Sequence, residues 1–185
     1  MGNQWGKTPL IAHFNNLNMK KTLFFIIASA FITFAKAQNC SDWIKTEYDE
    51  VADITVISMK ERMYINKDGQ RKVSIHVAQK IEDNEKETVL TIDIRDGGCI
   101  DNLNGIIFLF TDGTRLKQMN HGSDNCEGFA MLNIDIPDYD GHTIKYYLEQ
   151  KKIKTLRVYT NDSFIQVDFS ESNQAKLINT LRCIN

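Results

Sequence analysis

The sequence predicts an α+β domain, mainly antiparallel β, with about eight strands in one or two packed sheets and two short helices near the C-terminus. Three observations carry this expectation. Between residues 54 and 136 apolar side chains alternate with polar ones over short segments, the period of half-buried strands. Glycines and Asx-Gly pairs punctuate those segments, and beyond residue 37 only Pro137 removes a backbone donor. The apolar spacing switches to that of a helix only near Thr143.

The elements follow in order. Residues 54–66 alternate at Met59, Met63 and Ile65, and residues 71–81 at Val73, Ile75 and Val77. With Asn66-Lys67-Asp68-Gly69 between them, they read as a β-hairpin whose glycine supplies a positive φ. The charged stretch 82–87 reads as a solvated turn, and Leu90, Ile92 and Ile94 mark a third strand ended by Gly97-Gly98. Ile106-Ile107-Phe108-Leu109-Phe110 is apolar throughout, so it is expected to be the most central strand, buried on both faces. Asp112-Gly113 predicts a two-residue turn, with Arg115–Met119 returning as the partner strand. Ala130, Leu132, Ile134 and Ile136 form a further strand that Pro137 stops.

Ile144, Tyr147 and Leu148 recur at helical spacing, with Lys151 and Lys152 where positive charge suits the carbonyl end, so a helix is expected over 143–151. Residues 153–160 and 164–169 read as two strands around Asn161-Asp162-Ser163. A closing helix over 172–182 opens at Ser170 or Ser172, either of which supplies a capping hydroxyl, and presents Leu177, Ile178 and Leu181 on one face.

The 185 residues, 42% hydrophobic and 25% charged, match one soluble globular domain and exclude collagen, bulk disorder and a polytopic membrane protein. From Met19 the chain reads MKKTLFFIIASAFITFAKAQ: a basic start, an apolar run Leu23–Ala35, and Ala35-Lys36-Ala37 with small residues at alternate positions. That is the pattern of a secretory signal peptide, cut after Ala37, and the run is too short for the roughly 20 residues of a membrane span. Residues 1–18 are accordingly expected to be an extension upstream of the working start, 19–37 the signal peptide, and 38–185 a single exported β-rich domain. Met1-Gly2 does not extend to a myristoylation motif, because Gly6 stands where Ser or Thr is needed.

Residues 1–37 hold four of the 22 basic side chains (Lys7, Lys20, Lys21, Lys36) and none of the 24 acids, so the mature chain carries a net charge near −6. That balance lacks the basic footprint of a phosphate-backbone binder and argues against nucleic acid as a partner.

Cys40, Cys99, Cys126 and Cys183 all follow the expected cut. In an oxidising compartment an even count reads as two disulfides, with three connectivities open; zinc would want close pairs, and the spacings are 59, 27 and 57 residues. The pairing preferred is Cys99 with Cys126, bracketing a hairpin, and Cys40 with Cys183, tying the termini.

No catalytic, cofactor-binding or metal signature stands out. His121-Gly122-Ser123-Asp124-Asn125-Cys126-Glu127-Gly128 contains a His, a Ser and an Asp, yet three neighbours on one loop do not orient one another as a triad does, and the G-x-S-x-G elbow is missing. Asp135, Asp138 and Asp140 before Gly141 resemble half a calcium loop. Placing Gly141 sixth puts Ile136 first and Tyr147 twelfth, where ligands belong; the same test at Gly69 gives Tyr64 and Ile75. His76 and His142 stand singly. Tyr146, Tyr147, Tyr159, Phe164 and Phe169 suggest a carbohydrate-stacking platform, against the ordinary role of such aromatics in core and cross-strand pairs.

The run Ile106 to Leu116, the Asn125-Cys126-Glu127-Gly128 element, and Lys152 to Thr160 followed by a helix ending Leu181-Arg182-Cys183 resemble a group of small exported proteins of Bacteroidetes with no assigned activity. The resemblance spans roughly residues 100–184. It implies export and a single β-rich domain and carries no catalytic residue to transfer. The function expected is a non-enzymatic exported domain binding a protein or a glycan. The alternatives are a small exported hydrolase using loop 121–128 and a protease-inhibitor-like module presenting the tip 111–114 or that same loop.

Overall fold

The longest hairpin of the fold joins β4 (Gln70–Glu82) to β5 (Glu85–Ile94) through Asp83 and Asn84, at φ 50° and 66°. Two successive positive φ values are what a twist-matched two-residue turn requires, and Asx side chains tolerate them. The turn expected over 82–87 is therefore shorter than the charge run suggests: both strands keep pairing through it, Glu82 opposite Glu85. The computed structural model describes residues 39–67, 70–94, 98–101, 105–119, 126–138 and 140–184. The expected extension and signal peptide, the turn residues Asp68-Gly69, the terminator Gly97 and the loop residues His121–Asn125 lie outside them.

The ten strands among the described residues form two antiparallel sheets. In the first, β1 (Ile44–Asp49), β2 (Ile54–Met59), β4, β5 and β8 (Phe129–Asn133) lie in that order, with β3 (Met63–Lys67) also paired to β4. The alternating run 54–66 is thus two strands rather than one. Ser58 lies opposite Ala78 and Met63 opposite Ile75, so the stretch between carries two extra residues and bulges. The bulge lets Met59 and Met63 both enter the core, each 1% exposed, and turns Arg62 toward Asp93, Nη1 to Oδ2 3.2 Å.

The second sheet runs β10 (Phe164–Asp168), β9 (Ile153–Tyr159), β6 (Ile106–Phe110), β7 (Arg115–Gln118). β6 is interior as expected, but it is not buried from both sides. Ile106, Phe108 and Phe110 are sealed in the core, while Ile107 and Leu109 lie half-buried on the opposite, outward face. The β6–β7 loop is also longer than the expected two residues. Phe110 N–H donates to Thr114 O, leaving Thr111-Asp112-Gly113 as a three-residue loop with Gly113 at φ 84°.

β8 ends at Asn133, before Pro137 is reached. The Ile134 amide still donates to Thr88 O, but the Asp135 carboxylate takes the Thr88 amide at 2.7 Å and Asn133 Oδ1 takes the Asp135 amide, so side chains replace the ladder from Asp135 on. Pro137 instead makes an isolated bridge to Thr143.

Helix α1 (Ile144–Gln150) is capped by Thr143 Oγ1, which accepts from the Tyr146 amide. Helix α2 (Glu171–Cys183) opens at Ser170, whose Oγ accepts from the Asn173 amide, which settles the choice between the two serines. Its buried face is Gln174, Leu177, Thr180 and Leu181; Ile178, expected there, is only half-buried. Gln174 fastens the helix to β9 by accepting the Ile153 amide at 2.8 Å. The buried apolar side chains of both sheets, α1 and α2 join in one continuous core. Disulfides link Cys40 to Cys183 and Cys99 to Cys126, the pairing preferred on the spacing.

Gly105, at the entry to β6, has φ 62°, and a Cβ there would meet the backbone oxygen of Gln118 in β7. Gly105→Ala is expected to cost at least about 1–3 kcal/mol, the penalty for the left-handed conformation before the clash is added. A shifted urea midpoint at unchanged slope checks it.

Candidate outward-face binding site

Antiparallel pairing places two rows of side chains on the outward face of the second sheet. Leu109 sits opposite Arg115 on one side and Thr155 on the other; Ile107 sits opposite Lys117 and Arg157. Across β9 and β10, Arg157 faces Gln166, Tyr159 faces Phe164, and Thr155 faces Asp168. The period of two sends all of these away from the core that Phe108, Leu156 and Val158 fill.

Arg157 is the organising residue. Its Nε and Nη2 donate to Gln166 Oε1 at 3.0 and 2.6 Å, and Nη1 donates to Tyr159 OH at 3.2 Å. This fixes the guanidinium 4.3 Å from the centre of the Phe164 ring, a cation–π distance. Tyr159 and Phe164 lie 6.0 Å apart, and Phe164 is 49% exposed, an exposed aromatic held in place rather than left to rotate. Thr155 Oγ1 donates to Asp168 Oδ1 at 2.7 Å. Ile107, Leu109, Arg115, Thr155, Arg157, Tyr159 and Gln166 line a shallow hollow of about 160 Å³.

A second polar cluster surrounds the end of α1. Lys151 is not simply a charge at the helix's carbonyl end. Its Nζ reaches Asp112 Oδ2 at 3.1 Å and Thr114 Oγ1 at 3.0 Å, and it lies 5.8 Å over the Phe110 ring and 5.6 Å over that of Tyr147. Asp112 also accepts from the Thr114 hydroxyl and amide, and chiefly these bonds, helped by Lys151, hold its carboxyl at about 2. Tyr147 OH donates to Asp140 Oδ2, which pushes the phenol up to about 12 and Asp140 down; His142 stacks on Tyr146 at 4.2 Å. Acid–base catalysis wants a group poised near the working pH, and Asp112 and Tyr147 are driven away from it in opposite directions. This cluster locks the loop 111–114 and the turn before α1.

The Asp112 shift has a pH signature. Because folding depresses this carboxyl, its contribution is fully present above the ordinary value of 3.8 and is lost as pH falls toward about 2. An NMR titration should place the Asp112 midpoint near 2 in the wild type and higher in Thr114→Ala, part of the way back to the ordinary value, because the residue-114 amide and Lys151 remain. Equal midpoints in the two proteins would refute the assignment.

The residues singled out on sequence grounds are scattered by the fold. Asp135 is spent on the Thr88 amide and Asp140 on His142 N–H and Tyr147, so the half calcium loop does not converge. Among the described residues no three His, Cys, Asp or Glu side chains gather as metal ligands would. His76 lies on β4, its ring proton affinity lowered first by burial and then by Arg62 and Lys45, with Nδ1 buried and without a hydrogen-bond partner. Of loop 121–128, Cys126 is disulfide-bonded and Gly128 O accepts the Ile94 amide; the His, Ser and Asp of the hydrolase reading lie outside the described residues. The five late aromatics do not form one platform. Tyr146 and Tyr147 belong to the α1 cluster, Phe169 packs against the core beside α2, and only Tyr159 and Phe164 share the outward face.

Arg157, Ile107, Leu109 and Gln166 were not legible as site residues. The available signal was the apolar pair Ile107 and Leu109 in phase with the solvent side of a sheet, which reads as two-sided burial until the sheet's order is known. Among the described residues no helix is long and apolar enough to cross a membrane. Comparisons with protein-family models, curated proteins and solved structures find no match to the chain.

Proposed function

We propose that the chain is an exported, non-enzymatic binding domain whose ligand, a protein or a glycan, docks on the outward face of the second sheet. The observation that carries this reading is the exposed Phe164 ring with Arg157 held against it by Gln166 and Tyr159. Arg and aromatic side chains dominate binding hot spots, and fixing them beforehand spares the ordering entropy that binding otherwise costs. The leader pattern at 19–37 and the two disulfides support export.

The test is a binding screen of the oxidised full chain, recovered from an export host, against arrayed polysaccharides and fractionated exported proteins. Any specific ligand should lose at least about tenfold affinity with Phe164→Ala and with Arg157→Ala, the scale of a hot-spot truncation. A ligand whose affinity ignores both substitutions would place binding elsewhere and sink the proposal.

A further inference from the structure

We infer that the ligand of this face is an anionic polysaccharide, one bearing carboxylate or sulfate groups at intervals along an extended chain. The inference rests on the proposed binding role of the same face. Charge is the first ground. The whole chain is net negative, at −2, yet among the described residues the outward rows of the paired strands carry Arg115, Lys117 and Arg157 against a single acid, Asp168, whose carboxylate already accepts the Thr155 hydroxyl. Neither Arg115 nor Lys117 is in an ion pair with a described residue, and both are exposed, so both are free to meet anions.

The spacing of these cations selects the form of the anion. Arg115 and Lys117 are two residues apart on one strand, about 6.8 Å, and Arg157 lies two strands away from Lys117, about 9.6 Å. Arg157 is held by Gln166 and Tyr159 and does not swing toward the other two, whereas anionic groups repeated along a polymer meet such a row in turn.

The floor selects the chemistry between the charges. Ile107, Leu109 and the ring of Tyr159 give an apolar surface for the C–H face of a sugar, beside the exposed Phe164 ring. The hollow of about 160 Å³ is on the scale of one sugar ring and well below the roughly 300–1,000 Å³ of a small-molecule pocket. An extended acidic peptide would gain its affinity from a sheet edge through main-chain hydrogen bonds. Arg115 and Lys117 do stand on β7, the edge of this sheet, but with Arg157 they lie on its outward face in register with Ile107 and Leu109, so the charges are offered together with the apolar floor rather than with a row of free backbone groups.

Isothermal titration against dextran sulfate, polygalacturonate, neutral dextran and poly-glutamate tests the inference. The wild type should bind at least one of the two anionic polysaccharides, bind neutral dextran at least tenfold more weakly, and lose affinity as salt rises, since exposed charges are screened beyond about 10 Å at 0.1 M. Arg115→Ala with Lys117→Ala should weaken binding at least tenfold. Removing the same charge from the other sheet, with Lys45→Ala and Lys80→Ala, should leave it unchanged. Equal binding of poly-glutamate, equal loss in the control double variant, or no binding to either anionic polysaccharide would each overturn the inference. The wider reading fails separately: it falls only if an identified ligand is indifferent to Phe164→Ala and Arg157→Ala.

Discussion

Replacing Cys40 and Cys183 together by serine is expected to lower the domain's stability by about 5 kcal/mol, the largest effect of any covalent change in the chain. The bond closes a loop of 143 residues of sequence separation, and restriction of the unfolded chain grows with the logarithm of that length. Cys99–Cys126 closes only 27 and should be worth about 3.5 kcal/mol on the same footing. Natural domains of this size hold about 5–15 kcal/mol in total, so losing the terminal bond brings the fold close to its limit. The bond also has a local consequence. It joins the 3₁₀ turn at Cys40–Asp42 to the end of α2, the helix whose Leu177 and Leu181 close one side of the core. Urea unfolding of the oxidised wild type and the two double-serine variants checks the ranking. A terminal-bond variant as stable as the internal one would contradict the loop-length account.

Phe108→Ala is expected to cost about 3–5 kcal/mol, the range for emptying a fully buried aromatic site. Phe108 is 0% exposed at the middle of β6, flanked in register by Leu116 of β7 and Leu156 of β9, which are themselves pinned by pairing and cannot collapse inward. Phe164→Ala removes the same ring from the outward face and should cost only about 1 kcal/mol, the scale of an exposed cation–π contact. The contrast separates the two faces of one sheet: one phenylalanine holds the fold and the other is held ready by it. Equal losses would mean that Phe164 belongs to the core and that the outward face is not free.

Much of the architecture was legible because it is local. Val73, Ile75 and Val77 against Leu90, Ile92 and Ile94 set two strands by alternation alone, and all six are buried. The Ser170 cap was one of two hydroxyls offered ahead of a helical spacing, whereas Thr143, expected inside its helix, is the cap of α1. The sequence failed where long-range geometry decides. Asp135 ends β8 by taking an amide 47 residues away, and no local rule announces that partner. The bulge between Met59 and Met63 keeps both methionines in the phase of a single strand while dividing it, and Glu61, polar in that phase, was the local sign of the break. The candidate site was hidden for a related reason. Arg157 reads as an ordinary outward charge on a strand, and it becomes a site residue only when the β9–β10 register sets Gln166 opposite it and Phe164 opposite Tyr159. Ile107 and Leu109 look like core until β6 is found with that face half-buried while Ile106, Phe108 and Phe110 are sealed, and their apolarity then marks the hollow.

The binding proposal and the terminal disulfide both presuppose export of a trimmed, oxidised chain. Intact-mass analysis of the protein from its native cells tests this most directly. The expected species begins at Gln38 and carries both bonds, Cys40–Cys183 and Cys99–Cys126, with no thiol open to alkylation. Recovery of the chain with residues 19–37 still attached and four alkylatable cysteines would contradict it.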